Sequence, residues 1–233
     1  MSNKSEISGG PPPHLPDSIY AFIEPGVNRR PGKLAVVSKS QPGNHLAEAV
    51  RESTGSLPKR CDETLRWTYA EFFAVSFSLA ENLAQRITGS RPESIVVTYI
   101  PNSVEYLLLL AASTIAKTGI ASLDVGMLHK TRHAELEGYL GQLQPSCIVV
   151  PDAEGAAAVD GILQKLQLHS VVKISLDSKP PQTPVGNEVS WEGFASLCKA
   201  SPADAIAERT EAARHDDPNR TALIGKYSPW TMR

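Results

Sequence analysis

The stretch closest in character to a phosphate-binding loop in this 233-residue chain is Ser53–Lys59, which reads Ser-Thr-Gly-Ser-Leu-Pro-Lys. Small, hydroxyl-bearing residues that end in a lysine suit a loop that wraps phosphates with backbone amides. No predicted strand leads directly into the segment, and the sequence contains neither a GxxxxGK[ST] loop nor a GxGxxG turn. We therefore interpret Ser53–Lys59 as a solvated loop.

The histidines give an equally weak signal for a metal site. Of the six in the chain, only His129 and His133 are close in sequence, at a spacing that would share a helix face, and no nearby cysteine offers a third ligand. A GxSxG nucleophile elbow is also missing. We interpret the two histidines as an exposed helix start, and the sequence names no catalytic, cofactor-binding or metal-binding residue.

Along the middle of the chain, β-branched runs alternate with segments of helical periodicity. Four strands separated by three helices predict right-handed crossovers and an α/β fold, a mostly parallel sheet with flanking helices. The predicted strands are 94–99, 120–123, 146–150 and 170–176, and the predicted helices are 103–117, 131–143 and 156–168.

An additional strand pair and a long helix precede this alternating region. The pair is predicted at Leu34–Val37 and Leu65–Trp67, and a capping box at Thr68–Glu71 should start a helix that extends to Arg86. A similar reading makes Asn102, with a glutamate three residues later, the cap of the 103–117 helix, which Gly119 then ends.

Ligands of parallel α/β sheets bind at the carboxyl ends of the strands, so the loops that follow the strands are the place to search for a site. The polar residues in those loops are Asn102, Ser103, Asp124 and Asp152. Each of them can satisfy helix or turn amides without any ligand, and we interpret them as caps and turns.

The organisation of the chain is predicted as three parts. Residues 1–17 are expected to be a disordered lead-in, residues 18–225 a folded domain with a long loop insertion at 40–63, and residues 226–233 a divergent tail. After 177 the pattern weakens: a proline-rich loop, a short helix at 191–199, a polar irregular stretch at 201–217 and one more strand at 221–224.

Composition narrows the class of protein. With 41% hydrophobic and 21% charged residues the chain should fold, and a net charge of −2 argues against nucleic acid as a partner. Three widely spaced cysteines favour neither a disulfide framework nor a CxxC metal site, so a reducing, cytoplasmic location is expected. The most apolar stretch, Val104–Ala116, is too short for a membrane span.

The order of these pieces resembles the N-terminal region of the adenylate-forming (AMP-binding) superfamily, which comprises acyl-CoA and aryl-CoA synthetases, luciferases and peptide-synthetase adenylation domains. Thr68–Phe72 fits the family's T-Y-x-E-L segment, Pro101–Glu105 its P-N-S-x-E turn, and Arg132 its loop arginine. The resemblance runs from about Ile19 to Ile224. It implies a partial N-terminal subdomain of the ligase fold.

The resemblance also implies a chemistry. The full-length family uses ATP and magnesium to activate a small carboxylic acid as an acyl-adenylate, and then passes the acyl group to coenzyme A or to a carrier-protein thiol. The family's phosphate loop would follow the strand at 221–224, where this chain has Lys226–Arg233 instead. None of the family's catalytic residues can be placed on this sequence, and no cofactor is expected for the fragment itself.

We therefore expect a truncated ligase that is not catalytically competent as it stands. The alternative is a noncatalytic interaction or regulatory remnant of an adenylation domain. An unrelated doubly wound protein of flavodoxin-like type also fits the alternation, but it leaves the first strand pair and the Pro101–Glu105 turn unexplained. Truncation further predicts an exposed sheet, through which copies of the chain could self-associate.

Overall fold

The computed structural model describes residues 16–56, 63–87, 94–177, 190–216 and 223–225. The strands are β1 (Leu34–Ser38), β2 (Leu65–Thr68), β3 (Ile95–Thr98), β4 (Gly119–Ser122), β5 (Cys147–Val150), β6 (Val172–Ser175), β7 (Trp191–Gly193) and β8 (Leu223–Gly225). The helices are α1 (Ile19–Arg29), α2 (Ala47–Thr54), α3 (Tyr69–Ile87), α4 (Val104–Ile115), α5 (His133–Leu143), α6 (Ala153–Lys165), α7 (Phe194–Leu197) and α8 (Ala203–Arg214). Short 3-10 turns cover Val125–Leu128 and Lys130–Arg132.

The main sheet confirms the predicted α/β class. Its strands lie in the order β7-β6-β5-β3-β4-β8, and every neighbouring pair is parallel. Adjacent residues of one strand face opposite layers: Val96 joins the core beneath α3 and α4, whereas Val97 joins the core with α5 and α6. The sheet is therefore covered by helices on both faces, as predicted.

The predicted strand pair and the capping box are also present. β1 and β2 pair antiparallel, with Leu34 opposite Thr68 and Ser38 opposite Leu65. At the start of α3, the Thr68 backbone N–H donates to Oε2 of Glu71 at 2.7 Å, and the Glu71 N–H donates to Oγ1 of Thr68 at 3.3 Å. These reciprocal bonds satisfy amides that a helix start leaves free, so local sequence fixes where α3 begins.

Two segments predicted to lack regular structure contain helices. The 40–63 insertion includes α2, whose Ala49 and Val50 are buried. The polar 201–217 stretch includes α8, which Arg209 and Arg214 join by ion pairs to Glu81 of α3 and Glu24 of α1. The helix α2 was missed because it has only eight residues, of which two are buried. The 201–217 stretch is polar as predicted, and only Ala213 of α8 is buried.

The expected helix at 191–199 is only partly correct. Its first residues form β7, which pairs in parallel with β6 through Lys173 and Trp191, and α7 is limited to Phe194–Leu197. The predictions for residues 1–15, for residues 57–62 of the insertion and for the 226–233 tail lie outside the described residues.

The boundaries of α4 differ from the prediction for a local reason. Its N-cap is Ser103, whose hydroxyl accepts from the Tyr106 N–H, and not Asn102. At the other end, the chain turns at Lys117 with a φ of 58°, so that Gly119 already begins β4. With Ser103 as the cap, the side chain of Glu105 is available for other contacts.

Candidate functional site

The carboxyl ends of the parallel strands form the edge where a ligand is expected, and two carboxylates occupy the first turn of α6 there. Oδ1 of Asp152 accepts from the Gly155 N–H at 2.8 Å, and Oδ2 of Asp177 accepts from the Ala153 N–H at 3.0 Å. The predicted cap at Asp152 is thereby confirmed. Because protein carboxylates already occupy these amides, this helix start does not offer them to a phosphate.

The loop after β4 contains the arginine that the family resemblance singled out. Arg132 donates to Asp124 through Nη1 and to Oε2 of Glu135 through Nε and Nη2, the latter two at 2.9 and 2.8 Å. Hydrogen bonds to Asp124 and then Glu135 raise the pKa of Arg132 further above its already high value. Asp124 also accepts from the Gly126 N–H at 2.9 Å, as expected of a turn residue. The guanidinium thus holds its own loop together.

The two histidines that the sequence places at a helix start lie just before α5 and at its first residue. Nε2 of His133 lies 3.1 Å from the Leu128 carbonyl oxygen, and His129 is an exposed residue between the two 3-10 turns. His129 and Asp152 both line a cavity of about 80 Å³. Within the described ranges, no group of three potential metal ligands occurs.

The part of Ser53–Lys59 that the structure describes is the end of a helix. Oγ1 of Thr54 donates to the Val50 carbonyl at 2.8 Å, Oγ of Ser53 lies 3.3 Å from Oγ of Ser78, and Gly55 takes a φ of 74°. These hydroxyls are used within α2 and against α3. Leu57–Lys59 lies outside the described residues.

Sequence reasoning missed a buried cluster around Glu105, which is 5% exposed. Its carboxylate accepts from Nε2 of Gln41 at 2.9 Å and contacts the His45 ring, while Oε1 of Gln41 accepts from the Val104 N–H at 3.0 Å. The only local signal for this cluster is Glu105 itself, the glutamate of the Pro-Asn-Ser-Val-Glu turn, which the sequence analysis interprets as part of the helix cap. Its role is to fasten the segment after β1 to α4.

A second missed cluster lies beside β6. Lys173 is 5% exposed, and its Nζ donates to Oδ1 of Asp160 at 2.9 Å and lies 5.7 Å from the centre of the Trp191 ring. Nε1 of Trp191 donates to the other oxygen of Asp160 at 2.9 Å. One carboxylate therefore satisfies a buried ammonium and an indole together, an arrangement that secures the edge strand β7.

Comparisons with known proteins find sequence relatives that are CoA ligases, a class within the family that the motifs resemble. An acyl-CoA ligase of Pestalotiopsis microspora is 30% identical over 228 residues, which cover 95% of this chain and 37% of that protein. The predicted resemblance of this chain to the adenylate-forming superfamily is confirmed. The 2-hydroxy-7-methoxy-5-methyl-1-naphthoate–CoA ligase of Streptomyces carzinostaticus is 33% identical over 112 residues, or 47% of this chain and 18% of that protein.

A solved structure shares the fold. A luciferase-like enzyme from the nonluminescent Zophobas morio mealworm matches 83% of this chain and 43% of its own, with a TM-score of 0.50 and 17% identity. No protein-family model matches the chain. The chain spans 37% of the length of the Pestalotiopsis relative. In the part of the chain that the structure describes, we find no helix with the length and hydrophobicity of a membrane span.

Proposed function

We propose that this chain provides the sheet-and-helix framework of the N-terminal domain in an AMP-forming acyl-CoA or aryl-CoA ligase. Such an enzyme activates a small carboxylic acid with ATP and magnesium and transfers it to coenzyme A, or to a carrier-protein thiol. The observation that carries the proposal is the alignment of 95% of the chain with one acyl-CoA ligase at 30% identity. A reducing, cytoplasmic setting is part of the same proposal.

The proposal gives the described carboxyl edge a structural role. Adenylation needs fixed donors and cations around the developing phosphoryl charge. At this edge, Asp152 and Asp177 occupy amides of α6, and Arg132 is held between two carboxylates. We therefore propose that the chain does not catalyse adenylation alone, and that the described loops of this edge do not supply the phosphate-binding groups.

The direct test is a pair of assays on the purified 233-residue chain. We expect no ATP-dependent rise in melting temperature and no acid-dependent pyrophosphate exchange with a panel of alkyl and aryl carboxylic acids. Pyrophosphate exchange that responds to one acid would show that the chain is competent, and this part of the proposal would be wrong.

A chimera tests the framework role separately. The aligned segment of the Pestalotiopsis ligase is replaced by this chain, and the product is assayed with acids that the parent ligase converts to CoA esters. We expect CoA-ester formation, whereas a chimera with Leu108→Asp in the buried core should lose it together with its cooperative melting. A chimera that folds but forms no ester contradicts the framework proposal.

The second candidate is a noncatalytic interaction or regulatory module. It is favoured by the same edge chemistry, in which polar groups bond to one another within the chain. An inactive, folded chimera together with a stable, monomeric isolated chain would select this candidate over the ligase framework.

A further inference from the structure

Two adjoining cavities open on the helical layer formed by α1, α3 and α4. The larger, of about 480 Å³, lies between the C-terminal end of α1 and the first turn of α3; its lining includes Phe22, Val27, Arg29, Arg30, Lys33 and Tyr69. The smaller, of about 230 Å³, lies between α1 and α4 and is lined by Ile19, Tyr20, Leu107, Leu110, Ala111 and Thr114, among others. Ile23 and Phe73 line both, so the two cavities adjoin, and we refer to them together as the groove. A volume of several hundred Å³ is typical of small-molecule sites.

The groove presents apolar surface to solvent. Phe22 is 67% exposed, Ile19 57% and Leu107 40%, and all three line one of its two cavities. Beneath them, the rings of Tyr20 and Phe73 lie 6.3 Å apart, and both residues are buried. Apolar side chains gathered in a concave patch of this kind mark binding sites more often than isolated exposed residues do.

One end of the groove is cationic. Arg29, Arg30 and Lys33 line the larger cavity, and among the described residues no ion pair joins any of them to a carboxylate. The nearby acids on α1 and α3 are already engaged: Glu24 pairs with Arg214, and Glu71 bonds Thr68.

Backbone hydrogen bonds fix the turn that contains Lys33 and follows Arg29 and Arg30. The Tyr69 N–H donates to the Lys33 carbonyl at 2.9 Å, and the Ala70 N–H donates to the Pro31 carbonyl at 3.0 Å, so the turn after α1 is bonded to the start of α3. One basic residue in the last turn of α1 is enough to complement the helix dipole. Three within five positions leave a positive charge available to a ligand.

We infer that this groove binds a single-chain amphiphile with an anionic head, such as a medium-chain carboxylate. Its head pairs with Arg29, Arg30 and Lys33, and its hydrocarbon chain crosses Ile23 and Phe73 into the cavity beside Leu110. The inference goes beyond the proposed ligase framework. Binding here needs neither ATP nor coenzyme A, so its failure is distinguishable from a failure of the chimera.

The test begins with calorimetric titration of the intact chain with octanoate, decanoate and dodecanoate below their micelle-forming concentrations. We expect affinity to rise by about fourfold for each methylene that enters the groove. The uncharged matched probe, 1-decanol, should bind several-fold more weakly than decanoate. Salt should weaken decanoate binding and leave the alcohol unchanged. Equal affinities for the acid and the alcohol overturn the assignment of the cationic end.

Variants then separate the head from the chain. Arg29→Gln/Arg30→Gln should weaken decanoate binding by roughly threefold to tenfold, with little effect on 1-decanol. The control Lys130→Gln/Lys199→Gln removes two exposed charges elsewhere and should change neither. Ala111→Trp should fill the apolar cavity and abolish the dependence on chain length, whereas Ala157→Trp, exposed on α6, should not.

Two results overturn the proposal. One is a folded chain that binds none of the three carboxylates. The other is sedimentation showing a dimer that Phe22→Ser dissociates, which would identify a second copy as the occupant of the groove. If Ala111→Trp does not fold, the Arg29→Gln/Arg30→Gln variant still tests the proposal. Its two side chains are exposed at the end of α1, so their replacement should leave the chain folded.

Discussion

The imidazole of His45 and the carboxylate of Glu105, sixty residues apart in sequence, form a hydrogen bond between the segment after β1 and the first turn of α4. Gln41 completes the arrangement by donating to Glu105 and accepting from the Val104 N–H. The contact replaces water around a carboxylate that is 5% exposed. It therefore couples the antiparallel strand pair to the helical layer of the main sheet.

This pair predicts acid sensitivity. Burial by itself would raise the pKa of Glu105, but hydrogen bonds from His45, Ser103 and its own backbone, with the His45 charge, bring it from 4.5 to about 2. A group whose pKa is depressed on folding contributes stability above its unfolded value, and that contribution is lost as pH falls toward the folded one. The free energy of unfolding should therefore decline between pH 4.5 and about 2, by on the order of 3 kcal/mol.

Glu105→Gln should be less stable than the unsubstituted chain at neutral pH and should lose less stability across that acid range. Urea denaturation at a series of pH values measures both quantities. The control is Glu208→Gln, an exposed position on α8, whose curve should parallel that of the unsubstituted chain. If Glu105→Gln also parallels it, the hydrogen bonds to the Glu105 carboxylate make no contribution.

The cluster beside β6 predicts a rescue. Asp160→Asn keeps an oxygen that can accept from the Trp191 indole but leaves the buried Lys173 ammonium without its counter-charge. Breaking a buried pair from one side costs about 3–5 kcal/mol, whereas replacing the remaining charge with an apolar group of similar size can restore stability. The Asp160 side chain is 32% exposed, and water screens the pair from that side. We therefore expect Asp160→Asn to cost less than this and Asp160→Asn/Lys173→Met to recover most of the loss.

Chemical denaturation of Asp160→Asn, Lys173→Met and the double variant completes a double-mutant cycle. Asp204→Asn, on the exposed first turn of α8, is the control and should change stability by less than about 0.5 kcal/mol. Additive losses in the double variant would mean that Lys173 and Asp160 act independently.

Local chemistry explains which elements the sequence could predict. The capping box at Thr68–Glu71 and the cap at Asp152 are short-range signals, because each joins residues three apart. The parallel sheet was predictable from buried β-branched runs. The helix α8 was not, because its attachment depends on Glu81 and Glu24, which lie in other elements far away in the chain.

The same limit applies to the candidate site. Asn102 and Ser103 both suit a helix cap, and the backbone geometry of the turn selects Ser103. Once Glu105 is free of capping, its partners come from a segment around sixty residues earlier, which no local pattern identifies. The charged groove at α1 also escaped notice, because it needs the turn after α1 to be placed against α3.

The capping box should have a measurable but modest effect. Thr68→Ala removes the hydroxyl that accepts from the Glu71 N–H, and loss of such a cap costs about 1 kcal/mol. Glu71→Ala removes the acceptor of the Thr68 N–H. Because the two side chains act as one unit, the double variant should lose less than the sum of the single losses, as measured by urea denaturation. Strict additivity would show that the bonds are independent.

Two glycines in α6 differ in the space around them, and this difference predicts whether alanine raises or lowers the free energy of unfolding. A Cβ at Gly161 would meet nothing within 4 Å, and its φ is not in the left-handed region. Gly161→Ala should therefore raise the free energy of unfolding by about 0.5–1 kcal/mol, through helix propensity and a less flexible unfolded chain. At Gly155 the same Cβ would lie 2.9 Å from Cδ1 of Leu128 and 3.4 Å from Oδ1 of Asp152. Leu128 would have to shift within the core, which offsets the gain. The melting temperature of Gly161→Ala should exceed that of the unsubstituted chain, whereas that of Gly155→Ala should not. Gly138→Ala, another uncrowded helix position, is the positive control. Equal gains at 155 and 161 would contradict close packing of α6 against the turn after β4.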